Sequence, residues 1–163
     1  RRELALLSLR SLAKLAPPVL REGVAGYEAR RAEGVAATDF VDLAAAFAAD
    51  DVDLGVLLAA PATRPLSATG ASGELRLAYL AGEATAAWIE EEFDHERLVT
   101  LLAQLRRGTS IDAAVRDVLK LRIAGVQRGV DAWTAGQAPT EQEPPTSGGD
   151  DEDDDGSQED TTP

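Results

Sequence analysis

His95 is the one histidine of the 163-residue chain, and cysteine is absent. Thiolate nucleophiles, disulfides and zinc sites built on two histidines or on cysteines are therefore excluded. Ser8, Ser11, Ser67, Ser72 and Ser110 lack a histidine partner close by in sequence, so a serine triad has no support. Glu90-Glu91-Glu92 brings three carboxylates together, which could attract a cation, but reads better as the solvated end of a helix. His95 follows Asp94, a helix-capping residue type, and is expected to be exposed. Gly23, Gly26 and Gly34 do not follow a strand and make no phosphate loop. Asp150 to Asp155 has acids at the first, third and fifth places of a calcium loop. The glycine at six and the glutamate at twelve are missing, since Asp155 and Thr161 stand there. That run reads as a solvating segment with weak affinity for divalent ions at most.

The elements that must position these groups follow from the apolar spacing. A helix is expected over residues 1–15, with Leu9 and Leu12 a turn apart, stopped by Pro17-Pro18. Pro18 fits the first turn of the next helix, Val19 to Arg31. Thr38 or Asp39 is placed to cap a third helix reaching Ala49. A short apolar run, Leu54 to Ala60, precedes a loop rich in Pro, Ser, Thr and Gly. Leu75 to Phe93 reads as a long helix with Leu77, Ala81, Ala84 and Trp88 on one face. Asp94 caps the next, which buries Leu98, Leu101, Leu102 and Leu105 and ends at Gly108. Thr109 to Asp112 resembles a capping box with Asp in place of Glu, leading into Ile111, Val115 and Val118. A last helix carries Ile123, Val126, Val130 and Trp133. Trp88 and Trp133, at helical spacing with aliphatic residues, are expected in the core. No segment alternates with period two, so the body, residues 1–136, is expected to be all-α.

Composition agrees. Apolar residues make up 44% of the chain and aromatics only 4%, so the core must be built from Ala, Leu and Val, which suit close helix packing. The net charge is −13, yet residues 137–163 hold ten acids and no base, leaving the body near balance at −3. The segment 137–163 lacks apolar periodicity and is expected to be a disordered acidic tail. Neither part carries the basic stripe that nucleic acid requires. No apolar run approaches the roughly 18 residues of a membrane span. Fourteen arginines against two lysines, with abundant alanine, suggest a GC-rich, actinobacterial type of genome.

Two stretches carry a resemblance. Arg2-Glu3-Leu4-Ala5-Leu6 is followed by Pro18-Val19-Leu20-Arg21-Glu22-Gly23-Val24-Ala25-Gly26-Tyr27. The pair is similar to the HExxH motif and the later W-L-x-E-G-x-A-x-Y element of gluzincin zinc metallopeptidases of the peptidase MA-like group. Val19 stands where that element has Trp. Ala78-Tyr79, Phe93 to Leu98, Gly108 to Ser110, Ala114 and Trp133 resemble the C-terminal helices of the same family. The likeness spans residues 2 to 136 and implies the helical subdomain of that fold. The chain is read as an N-terminally truncated piece, since the family's preceding β-sheet subdomain has no counterpart in it.

The resemblance implies Glu3 as general base and Glu22 as third zinc ligand, because HExxH sets two histidines on one helical face around the metal. Here those histidine positions are Arg2 and Leu6. Leucine offers no lone pair, and arginine stays charged and repels a cation. Zinc, the family's cofactor, is therefore not expected at this motif, and Glu3 and Glu22 are vestigial. Arg2 could instead pair with Glu3 and Glu22 in place of the metal's charge, or it is a solvated helix start. Tyr79 would lie near the cleft, where a phenol could stabilise an oxyanion, or be a half-buried core residue.

The resulting expectation is a degenerate, non-catalytic metallopeptidase-like domain that binds a peptide or protein or serves as a scaffold. Two alternatives stand beside it. One is an active zinc peptidase whose ligands lie outside this chain. The other is a plain helical adaptor with a solubilising acidic tail. The family type and the lack of cysteine suggest extracytoplasmic or membrane-anchored placement through upstream sequence.

Overall fold

The computed structural model describes residues 13–33, 40–61 and 72–137. Among these the chain is all-helical and has no strand. A 3-10 turn, Ala13–Leu15, precedes α1 (Pro18–Glu33), α2 (Phe40–Ala48), α3 (Leu54–Ala59), α4 (Ser72–Glu92), α5 (His95–Arg106), α6 (Ile111–Val118) and α7 (Ile123–Gln137). The expected helix over residues 1–15, the cap at Thr38 or Asp39 and the acidic segment beyond Gln137 lie outside the described residues, apart from that 3-10 turn.

Helix ends follow local chemistry. Pro18 opens α1, where its missing N–H costs nothing. Asp53 caps α3 by accepting from the Val56 amide at 3.0 Å, so the apolar run there is a helix. Asp94 caps α5, its Oδ1 accepting from Arg97 N at 2.8 Å. Gly108 ends α5 at φ 87°. Its amide donates to Leu105 O, and Thr109 N to Gln104 O, the paired bonds of a Schellman close. The same pair of bonds closes α2, with Asp50 at φ 57° in the glycine-favouring place. The capping box anticipated at Thr109 is shifted by a residue. Ser110 is the cap, its Oγ accepting from Ala113 N at 3.4 Å, and Asp112 instead pairs with Arg116 one turn on.

The long α4 is the axis of the body. It packs along α1 and also touches α2, α5 and α7. The α1–α4 crossing is set by two glycines. A Cβ on Gly23 would lie 2.1 Å from the Gly82 carbonyl carbon, and one on Gly82 would lie 2.1 Å from Val19 O. The backbones meet where no other residue fits. Around this crossing Val19, Leu20, Val24, Leu43, Leu54, Leu58, Ala81, Ala84, Ile89, Leu98, Leu101, Leu102, Val115 and Val130 are fully buried in one cluster. The α5 face of Leu98, Leu101, Leu102 and Leu105 is buried as its spacing requires. Trp88 is in the core, edge-on to Phe93 with centroids 5.4 Å apart. Trp133 is only partly buried and faces a cleft.

Candidate functional site

Of the residues that the resemblance singles out, Glu22 and Tyr79 lie on the described part of the chain. Arg2, Glu3 and Leu6 lie outside the described residues. Glu22 stands in the second turn of α1, partly exposed, and its Oε1 takes a 3.0 Å bond from Arg21 Nε. Of the three ligand positions in that motif, Glu22 alone carries a ligand atom in the sequence. Tyr79 is 38% exposed, on α4, and is not part of the cleft described next.

A cleft of about 400 Å³ opens between α1, α2, α4 and α7. Its aromatic wall is Tyr27, Phe40 and Trp133, and Arg30, Arg31, Glu83, Glu90 and Glu91 supply the polar groups. Phe40 and Trp133 meet edge to face, 5.3 Å between centroids, because α2 and α7 pack together there. The Trp133 indole N–H donates to Glu91 Oε2 at 2.9 Å, which fixes the ring across the mouth. The charges inside are paired. Arg30 Nε lies 2.8 Å from Glu83 Oε2, and Arg31 Nη1 pairs with Glu90 Oε1. Glu83 tolerates its burial because of that partner. The cleft thus presents aromatic surface and dipoles with little net charge.

A second arrangement adjoins it. Glu28 follows the apolar stripe Leu20–Val24 one turn further along α1, and at 6% exposure it is buried like them. Its Oε1 has no hydrogen-bond partner. Burial raises its carboxyl above the usual range, Arg31 opposing and the Glu90 charge reinforcing the shift. Glu90, on the last turn of α4, has a side chain only 14% exposed. It takes Arg31 on Oε1, while Oε2 faces His95 Nδ1 at 3.2 Å. The chain reverses at Asp94, φ 108°, so His95 opens α5 beside the end of α4. The Tyr27 phenol is pushed up to about 12, first by burial and then by the Glu90 charge. Glu28, Glu90 and His95 offer ligand atoms that all lie within 4.8 Å of one another.

His95 is partly exposed, as anticipated, with 45% of its side chain accessible. Glu90 corrects the reading of Glu90-Glu91-Glu92 as a merely solvated end, because Arg31 and Tyr27 of α1 and His95 of α5 converge on it. Glu91 is likewise engaged, by Trp133. Sequence reasoning missed Glu28, Arg30, Arg31, Phe40 and Glu83. A signal existed for Glu28, a carboxylate continuing an apolar stripe at i, i+4, i+8, since an unpaired charge is otherwise kept out of a core.

No protein-family model matches the chain, and no curated protein or solved structure shows significant similarity to it.

Proposed function

We propose that this chain is a non-catalytic helical binding domain of metallopeptidase-like type, and that its cleft takes a peptide segment through an apolar or aromatic anchor. The observation that carries the reading is the cleft wall of Tyr27, Phe40 and Trp133 above internally paired Arg30–Glu83 and Arg31–Glu90. Aromatic faces supply contact area at small entropic cost, and fixed polar groups at the rim orient a backbone. Paired charges select against strongly charged ligands, because such a ligand must break an ion pair to bind. The non-catalytic half of the reading rests on the ligand positions, where Arg2 and Leu6 cannot bind zinc and Glu22 is bonded to Arg21.

The test is selection from a random peptide library on the full chain, followed by titration of the selected peptides under tryptophan fluorescence. Aromatic or aliphatic anchors are expected, with at least tenfold weaker binding to Trp133→Ala and unchanged binding to Glu22→Gln. Peptides that bind Trp133→Ala as well as the parent chain would place recognition elsewhere. Hydrolysis of the selected peptides by the parent chain, lost in Glu22→Gln, would restore the peptidase alternative.

A further inference from the structure

We propose that Glu28, Glu90 and His95 form a binding site for a divalent transition metal of the zinc class. This goes beyond the peptide reading and uses none of the positions Arg2, Glu3, Leu6 or Glu22. The three ligand atoms come from the third turn of α1, the last turn of α4 and the start of α5, and all lie within 4.8 Å of one another. The donor set is one imidazole nitrogen and two carboxylate oxygens, the combination that suits zinc and its neighbours, whereas calcium prefers oxygen alone.

The second observation is the free oxygen of Glu28. A carboxylate at 6% exposure with Oε1 unbonded is an expensive feature unless something else meets it. Groups of α1 also meet Glu90. Arg31 holds Glu90 through Oε1, Tyr27 lies close enough to feel the same carboxylate's charge, and Oε2 faces His95. Outer partners of this kind fix a ligand's orientation.

The spacing is close to what the ion demands. Tetrahedral zinc with bonds near 2.0–2.1 Å separates adjacent ligand atoms by about 3.3 Å. His95 Nδ1 and Glu90 Oε2 already stand 3.2 Å apart. Glu28 lies within the 4.8 Å limit and needs a carboxylate movement of at most about 1.5 Å to close the triangle. Three protein ligands leave one coordination position open on the solvent side, where His95 is half accessible.

The full chain, stripped with chelator, is titrated with zinc chloride while the imidazole nitrogen resonances of His95 are followed. As the one histidine, it is read without assignment. A competing chromophoric chelator gives the affinity. One equivalent is expected to saturate the His95 shifts, and calcium is expected to leave them in place. Glu28→Gln and His95→Ala are each expected to weaken zinc at least tenfold. Zinc is expected to raise the melting temperature of the parent chain and not that of His95→Ala. Circular dichroism checks that both variants fold; should Glu28→Gln fail to fold, the His95 resonances and His95→Ala decide. His95 resonances unmoved by two equivalents of zinc overturn the site. So does an affinity unchanged in either folded variant, which would assign the binding to acids such as Asp150–Asp155. Trp133→Ala, which tests the peptide cleft, is expected to keep parental zinc affinity, so failure of one proposal is distinguishable from failure of the other.

Discussion

At the scale of single residues, charge and burial separate side chains that look alike in sequence. Glu22 and Glu28 sit on the same helix, six residues apart. Glu22 is partly exposed and bonded to its neighbour Arg21, while Glu28 is buried with a free oxygen. An exposed pair between adjacent residues is worth little. Glu22→Gln is therefore expected to change unfolding free energy by less than about 0.5 kcal/mol in urea titrations. Phe40 is the opposite case. It is buried against Trp133 and joins α2 to α7. Phe40→Ala should cost about 3 kcal/mol, with a red shift of tryptophan emission as water reaches the indole.

At the scale of elements, glycine positions decide how α1 meets α4. A methyl at residue 82 would enter the Val19 carbonyl oxygen, a backbone atom that cannot rotate away. Gly82→Ala is thus expected to destabilise by about 3 kcal/mol or to prevent folding, read by the urea midpoint. The same change at Gly136 meets nothing within 4 Å on α7, and should instead stabilise by about 0.5 kcal/mol through helix propensity. A third test concerns the close of α2, where Asp50 holds φ 57°. Asp50→Gly removes the Cβ penalty of that conformation and is expected to add about 1 kcal/mol, seen as a raised melting temperature.

At the scale of the whole molecule, the buried residues of the described helices form one cluster. Such a core should unfold as a unit. Far-ultraviolet dichroism and tryptophan fluorescence are therefore expected to give one urea midpoint. Leu101, fully buried at the centre of the α5 face, tests this. Leu101→Ala should lower stability by about 3 kcal/mol by both probes. Separate midpoints for the two probes would mean that α5 and α6 fold apart from α1 and α4. Such a unit would still hold α5 to α6 through Arg97, which donates to Val118 O at 2.8 Å.

Much of the fold is legible in the residues themselves. Helical spacing of leucine in α5, proline at the start of α1, Asp94 before α5 and Gly108 after it are local signals, and local backbone chemistry is what they report. The run Leu54–Ala60 is too short to carry a distinguishing period and stays unassigned in the sequence, and the structure makes Leu54–Ala59 a helix capped by Asp53. The role of Ser110 rather than Thr109 as cap turned on a single-residue choice of chain direction, which spacing leaves open. The composition also settled that two-histidine and thiolate chemistry are closed to this chain, since those atoms are not in it. The tertiary structure alone decided which charges meet. Arg31 and Glu90 are 59 residues apart, Trp133 and Glu91 are 42 apart, and Glu28 reaches His95 and Glu90 only because Gly23 and Gly82 let α1 lie against α4. Periodicity reports which face of a helix is buried, but the partner of that face depends on how whole helices cross, and that is fixed by packing distant parts of the chain at once.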